Sequence, residues 1–219
     1  MATYVRPTVP DRVYRDEHGA VIAYGHRWDG GSPPEDTYSV ITHPERFEPV
    51  TTVAWALVDH LRAAYDVDVV EGTDVLADFM RPPRKVRTAV RLTPRLATAA
   101  PLTLAVTDDP GVMVHAGLLH DAPFPGCSCD ACDETWQSQA DDLEELVLAV
   151  AAGRFGERVT GVVRPWVHYA LADEQGSVAS GSGWARRVPR KRLRAARRAL
   201  RRFGGGPWDA WPVRRGGDG

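Results

Sequence analysis

The stretch LTLAVTDDPGVMVHAGLL, residues 102–119, contains two β-prone runs on either side of a turn. Residues 102–107 and 112–119 are rich in Leu, Val and Ala, and the four residues between them, 108–111, read Asp-Asp-Pro-Gly. Apolar runs that flank such a turn are typical of an antiparallel β-hairpin. We therefore expect this hairpin to form part of an antiparallel sheet, and its second strand to lead directly to His120.

Further β-prone segments lie on both sides of this hairpin. Residues 86–92 alternate with a period of two, and VDVV at 67–70 is a short apolar run. Residues 165–172 and 177–183 flank the turn 173–176 and predict another hairpin. A first hairpin is expected around Asp16–Gly19.

Three segments have the periodicity of amphipathic helices. The first ends near Tyr65 and is preceded by Thr42 and Glu45 at the spacing of a capping box. The second spans about 133–152, and the third, at about 189–203, carries Leu193, Ala196, Leu200 and Phe203 on a narrow apolar stripe among arginines. The predicted fold class is α+β, with an antiparallel sheet built from β-hairpins, two long amphipathic helices and a basic C-terminal helix. We assign residues 1–203 to a single domain and residues 204–219 to a C-terminal tail.

The composition is that of a soluble globular protein, with 43% hydrophobic and 26% charged residues. No apolar run approaches the roughly 18–20 residues that a membrane span needs. The N-terminus has no apolar stretch typical of a secretory signal. We therefore expect a cytoplasmic protein that does not associate with membranes and whose cysteines are reduced.

All three cysteines, Cys127, Cys129 and Cys132, fall within six positions, and His120 lies just upstream. Structural zinc is usually bound by four Cys or His ligands, and Cys-x-x-Cys is a common spacing for two of them. We predict one structural zinc ion per chain, bound by Cys127, Cys129, Cys132 and His120 in the loop 120–134. This site should hold strand 112–119 to helix 133–152, whose N-terminal dipole stabilises the negative charge of a thiolate-rich site.

Other interpretations of the cysteines remain open. The alternatives for the fourth ligand are His115, a carboxylate and water. A redox dithiol, an iron–sulfur cluster and ordinary reduced thiols are further alternatives. An open zinc position beside a cleft lined by His43, Glu35 or Glu134 would indicate a zinc-dependent hydrolase.

The charge is distributed unevenly along the chain. Residues 1–183 carry 15 basic and 27 acidic side chains, whereas residues 184–219 carry 12 basic and two acidic ones. Residues 186–203 contain ten cations in eighteen positions, which is typical of a segment that binds nucleic acid. The alternative, which the acidic remainder of the chain favours, is that this helix neutralises the protein's own carboxylates.

Several motifs occur together: YGHRW (24–28), PPEDTYS (33–39), HPERF (43–47), HAGLLHD (115–121) and FPGCSCDACDE (124–134). In this combination the chain resembles an uncharacterised family from high-GC Gram-positive bacteria. The resemblance implies a stand-alone cytoplasmic bacterial protein and supplies no catalytic residues. The sequence thus favours a zinc-stabilised protein that is non-enzymatic or an interaction module over a hydrolase or a nucleic-acid-binding protein.

Overall fold

The computed structural model describes residues 3–172, 175–176, 178–186, 188–202 and 206–215, and its elements form an α+β fold. The helices are α1 (Glu48–Ala64), α2 (Trp136–Ala151) and α3 (Arg190–Arg202), with short 3-10 helices at Glu35–Thr37, Pro44–Phe47 and Thr73–Asp78. The strands are β1 (Val67–Glu71), β2 (Val86–Pro94), β3 (Leu102–Thr107), β4 (Gly111–Ala116), β5 (His120–Phe124), β6 (Phe155–Thr160), β7 (Trp166–Ala172) and β8 (Val178–Trp184). The predicted fold class is confirmed.

The strands form two antiparallel sheets in sequence order, β1–β5 and β6–β8. The hairpin of residues 102–119 lies in the first sheet as β3 and β4, with Leu104 opposite Val114. The predicted pairing of the last two strands is also present, with Ala172 opposite Val178. Residues 173, 174 and 177 of its connecting turn lie outside the described residues.

Both faces of the five-stranded sheet are covered. One face carries side chains such as Val90, Leu102 and Val114, which are fully buried in a core shared with α1 and α2. The opposite face packs Ala89 and Ala105 against the segment that contains the 3-10 helix Thr73–Asp78. Burial on both faces explains why β2, β3 and β4 are strongly apolar.

The chain turns earlier than the sequence indicates, because β4 ends at Ala116 and residues 117–119 form a turn. Gly117 adopts a positive φ of 64°, and a Cβ at this position would lie 2.2 Å from a carboxylate oxygen of Glu157. His120 then begins β5, an edge strand that pairs with β4. The strand includes Pro123, which an edge strand tolerates because one side of its backbone needs no partner.

Helix α3 is anchored to the first sheet by Arg192. Its guanidinium donates hydrogen bonds to the carbonyl oxygens of Asp78, Phe79 and Leu118. It also lies 3.2 Å from Nε2 of His115, whose Nδ1 is 2.6 Å from Oδ1 of Asp121. Leu193 and Ala196 of the predicted stripe are buried beside this network, whereas Phe203 lies outside the described residues.

The C-terminal segment contributes to the core. Trp208 and Trp211 are 4% and 2% exposed, and Nε1 of Trp211 donates a hydrogen bond to the carbonyl of Ala100. Single β-bridges join Ala99 to Asp209 and Tyr65 to Val213. The division at residue 203 stays a prediction, but the described part of the predicted tail, residues 206–215, packs against the fold.

Glu157 of β6 is a buried carboxylate at the junction of these parts. It accepts hydrogen bonds from the backbone N–H groups of Leu118 and Leu119 and from Nε1 of Trp208. Burial raises the pKa of Glu157 to about 7, against the opposing effect of these hydrogen bonds and of Arg192. Ionised Glu157 therefore costs folding free energy at neutral pH.

This pKa predicts a pH-dependent loss of stability. Because the folded-state pKa is raised, Glu157 imposes no penalty below its unfolded pKa, and the penalty grows as pH rises to about 7. The full penalty is about 3 kcal/mol at 1.36 kcal/mol per unit of pKa. In urea unfolding, the free energy of unfolding of the wild type should fall more steeply between pH 5 and 7.5 than that of Glu157→Gln. The exposed control Glu17→Gln should keep the wild-type slope, and equal slopes in wild type and Glu157→Gln would contradict the assignment.

Candidate metal centre

The three cysteines converge in the loop between β5 and α2. The Sγ atoms of Cys127 and Cys129 are 3.2 Å apart, and those of Cys129 and Cys132 are 3.4 Å apart. All three lie within 4.8 Å of one another, and they are the one such group of Cys, His or carboxylate ligands in the described part of the chain. Two sulfurs bound tetrahedrally at about 2.3 Å from zinc are about 3.8 Å apart, so the cluster has nearly the required size.

The local environment favours ionisation of one thiol. The neighbouring Cys127, with backbone N–H groups of Cys132 and Ser39, lowers the pKa of Cys129 to about 7. The proximity of Cys127 and Cys129 raises the pKa of Cys132 to about 12. Three sulfurs this close therefore resist simultaneous ionisation unless a cation offsets their mutual repulsion. A divalent metal ion would supply that charge.

Neither predicted histidine joins the cysteines. The His120 ring packs against the rings of Tyr169 and Phe155, at centroid distances of 4.1 and 5.7 Å. Burial lowers the pKa of His120 to about 4, so its imidazole is neutral. His115 is engaged by Asp121 and Arg192. Strand β5 places His120 at the sheet edge, against Tyr169 of β7. We therefore look for the fourth ligand among the residues of the cysteine loop.

Two carboxylates follow the last cysteine directly. Oε2 of Glu134 accepts a hydrogen bond of 3.3 Å from the backbone N–H of Cys127. Oδ2 of Asp133 accepts one of 2.8 Å from the backbone N–H of Arg27, whereas its Oδ1 is buried and has no hydrogen-bond partner in the described chain. A buried carboxylate oxygen without a partner is costly, and a nearby cation would compensate for it.

The cysteine loop is bound to the N-terminal segment rather than to strand β4. Backbone N–H groups of Asp130 and Ala131 donate to the carbonyls of Val40 and Thr37, at 2.7 and 3.2 Å. The indole of Trp28 donates to the carbonyl of Ala131 at 3.1 Å. The described residues before the first 3-10 helix contain no regular strand, only a single bridge between Arg15 and Val21 in place of the predicted hairpin. The loop thus supplies partners for backbone groups of an irregular segment.

Asp130 and Arg46 form the charged centre of this contact. Asp130 is 3% exposed and accepts hydrogen bonds from the backbone N–H and the hydroxyl of Thr42. Arg46 is 2% exposed, lies 3.7 Å from Asp130, donates to the carbonyl of Ser128 and stacks on the ring of Tyr24. Thr42 therefore bonds to Asp130 of this buried pair and does not form the predicted capping box. No sequence signal identifies Asp130, because its position between two cysteines resembles that of any exposed loop residue.

The residues proposed for a hydrolytic cleft do not converge on the cysteines. His43 is bonded to Glu45 and to the carbonyl of Arg15, at 2.9 and 3.0 Å, and Glu35 is exposed on a 3-10 helix. Of the three, Glu134 is the one that contacts the cysteine loop. Five cavities of the described chain are lined by residues other than the cysteines. This arrangement is typical of a structural site.

The chain belongs to DUF6226, a family of unknown function whose sequence model matches residues 10–215. This match confirms the resemblance inferred from the motifs. No curated protein and no solved structure gave a significant match. None of the helices in the described ranges has both the length and the apolar composition needed to cross a bilayer.

The buried pair predicts that Asp130→Asn destabilises the protein. The substitution keeps the shape of the side chain but leaves Arg46 buried without its counter-charge, which typically costs about 3–5 kcal/mol. Urea unfolding should show this loss, and limited proteolysis should cut residues 24–46 faster. Asp36→Asn, an exposed carboxylate in the same segment, is the matched control and should change stability by less than about 0.5 kcal/mol. Equal stability of the two variants would contradict the role assigned to Asp130.

Proposed function

We propose that this DUF6226 member is a non-enzymatic cytoplasmic bacterial protein whose fold is completed by one structural zinc ion. The observation that carries the proposal is the convergence of three thiols within 4.8 Å in a loop that orders the N-terminal segment. Zinc suits this donor set because thiolates are its common structural ligands and it takes no part in redox chemistry. A reducing compartment keeps the three thiols available for the metal.

Asp133 is the proposed fourth ligand, and its carboxylate, which lies outside the group of three thiols within 4.8 Å, has to turn towards the metal on binding. Its Oδ1 is buried without a hydrogen-bond partner in the described part of the chain, and the residue directly follows Cys132. Three thiolates and one carboxylate around Zn²⁺ leave a charge of about −2 on the site. Helix α2 begins at Trp136, so its N-terminal N–H groups and dipole stabilise this charge. The guanidinium of Arg46, bonded to the carbonyl of Ser128, adds a positive charge on the buried side of the loop.

The proposed shell of three thiolates and Asp133 has no open position, which argues against the hydrolase interpretation. Catalytic zinc keeps one position for water or substrate and has an acid or base placed beside it. Here the two carboxylates that follow the cysteines already accept hydrogen bonds, Glu134 from the backbone N–H of Cys127 and Asp133 from that of Arg27. The site therefore functions as a cross-link between the cysteine loop and the surface that contacts residues 24–46.

Metal analysis of the purified full chain tests this proposal. We expect one zinc ion per chain, and a strong chelator should lower the melting temperature because metal-binding energy contributes to folding. Cys129→Ser should remove the metal, whereas Ser128→Ala, a neighbouring change that keeps all three thiols, should retain it. A metal-free protein whose melting ignores the chelator would refute the zinc site.

The same preparation identifies the fourth ligand. Asp133→Asn should weaken zinc affinity by about 10-fold or more, since the amide is a poor substitute for a ligating carboxylate. Glu134→Gln, which alters the adjacent carboxylate, should leave the affinity unchanged. The reverse pattern would assign Glu134 in place of Asp133 and leave the three-thiolate site intact.

A second candidate function, single-stranded nucleic-acid binding, is favoured by the surroundings of α3. In the described part of the chain, the α3 arginines bond to backbone carbonyls and form no ion pair with a carboxylate. Arg192 favours the ionised form of the buried Glu157, and the sequence-based expectation that this helix neutralises the protein's own acidic surface stays a prediction. The cations left exposed are Arg190, Lys191, Arg194, Arg198 and Arg201.

Aromatic side chains lie close to this basic segment. Trp166 and Trp184 are paired across β7 and β8 and are 43% and 44% exposed. The guanidinium of Arg186 lies 4.3 Å from the centre of the Trp184 ring. Exposed aromatic rings beside arginines are typical of surfaces that stack bases and contact phosphates of single strands. The apolar stripe of α3 is already buried by the fold, so it is not available for insertion into a membrane.

Fluorescence anisotropy with a labelled 20-nucleotide single strand tests this second function. Affinity should fall steeply with salt. Replacing Arg190, Arg194 and Arg198 together by Ala should reduce the slope of log affinity against log salt by about 2, because each of three lost phosphate contacts contributes about 0.7 to that slope. The matched control replaces the exposed Arg12, Arg62 and Arg95 by Ala and should keep the wild-type slope. Binding that is independent of salt, or equally weakened by both triple variants, would contradict this function.

A further inference from the structure

A cleft of about 700 Å³ separates the edge of the first sheet from the second sheet. One wall is β5 with the adjoining turn of α2, and the other is the face of β7 and β8 that carries Val167, Tyr169 and Leu171. The walls are mostly apolar, and a few polar groups point into the space. A concave, largely apolar cleft with a small number of polar groups is the usual form of a small-molecule site.

His120 and Tyr169 form the floor of the cleft. Their ring centroids are 4.1 Å apart, and the planes are inclined by 39°. Within the described ranges, neither ring nitrogen of His120 nor the Tyr169 hydroxyl has a hydrogen-bond partner. Both residues are half-buried, and these polar atoms are not among the fully buried ones, so they are open to the cleft. A ligand in the cleft could form hydrogen bonds with them.

The rim of the cleft is acidic. Asp142 and Glu145, one helical turn apart on α2, both line it. Glu145 has no ion-pair partner in the described chain, and Asp142 has only a long hydrogen bond of 3.4 Å from Gln139. Asp121 adds a third carboxylate, which is already bonded to His115 and to backbone N–H groups, and Arg81 is the one cation in the lining. The charge of the lining favours a cationic ligand.

Glycines of β8 keep the cleft open. Gly181 and Gly183 lie opposite Tyr169 and Val167, so their missing side chains belong to the face that lines the cleft. A Cβ at Gly181 would lie 2.4 Å from the Tyr169 ring, whereas one at Gly183 would meet no atom within 4 Å. The ring of Tyr169 therefore lies over Gly181, and the space above Gly183 is free for a ligand.

We infer that this cleft binds a small organic cation, a primary amine or guanidinium with an apolar or aromatic body. The charged group lies between the carboxylates of Asp142 and Glu145. The body packs against Tyr169 and His120, where an aromatic face also attracts the cation. A bound metal ion does not fit here, because the carboxylates of the cleft do not form a cluster of ligand distance in the described chain. This site is separate from the cysteine loop and does not depend on the proposed zinc function.

Nuclear magnetic resonance titration of the isotope-labelled full chain tests the inference. The probe is benzylamine, with benzyl alcohol and benzoate as neutral and anionic controls of nearly the same shape. Benzylamine should give saturable shifts in β7, β8 and the middle of α2, and neither control should saturate over the same concentration range. Glu145→Gln should weaken benzylamine binding at least fivefold, and Gly183→Leu, which fills the free space, at least tenfold.

Asp59→Asn, which alters an exposed carboxylate on α1, is the control for loss of charge and should bind like the wild type. Equal affinity for benzylamine and benzyl alcohol would overturn the inference. It would also be overturned by tighter binding of benzoate, or by benzylamine binding that Glu145→Gln leaves unchanged. Glu145→Gln alters an exposed side chain, so this variant should fold like the wild type. Its effect on benzylamine binding therefore tests the inference even if Gly183→Leu does not fold.

Discussion

The buried contact between Asp130 and Arg46 links two parts of the chain that have almost no ladder hydrogen bonds of their own. Backbone N–H and C=O groups that leave water need partners, and residues 24–46 obtain several of theirs from the cysteine loop. The two charges are 2–3% exposed, so each depends on the other and on its hydrogen bonds. Anything that moves the loop therefore also disturbs the N-terminal segment.

The three cysteines lie within the same loop that carries Asp130. A short loop with three acidic residues and three thiols has little apolar surface with which to fix its own conformation. A metal ion would restrict it without a larger core, and the restriction would pass to residues 24–46 through Asp130 and Ala131. Hydrogen bonds from Arg27, Trp28 and Arg46 to this loop bring the motifs YGHRW, HPERF and FPGCSCDACDE side by side in the structure.

The second sheet and α3 give the molecule its two candidate binding surfaces. The guanidinium of Arg192 donates hydrogen bonds to three backbone carbonyls and thereby fixes α3 beside the first sheet. The remaining arginines of the exposed side of α3 stay in solvent. Strands β5 and β7 approach each other at His120 and Tyr169, and the space beside this contact stays open as a cleft.

The strongly periodic parts of the fold could be predicted from the sequence. The hairpin of β3 and β4, the pairing of β7 with β8 and the three helices follow local patterns of apolar residues and turns. Strand β5 was missed because an edge strand tolerates Pro123 and polar residues, and β6 because Gly156 resembles a helix terminator. The position of His120 depends on this missed strand, so its separation from the cysteines could not be foreseen. The burial of Trp208 and Trp211 arises from contacts distant in sequence, which local patterns do not encode.

Hydrogen exchange of the zinc-loaded and chelator-treated protein tests the central claim most directly. We expect removal of the metal to speed amide exchange in residues 24–46 and 127–135, while β2, β3 and β4 keep most of their protection at early times. Cys129→Ser should reproduce this pattern without a chelator. Unchanged exchange in residues 24–46 after verified loss of the metal would contradict the claim that the cysteine site orders the N-terminal segment.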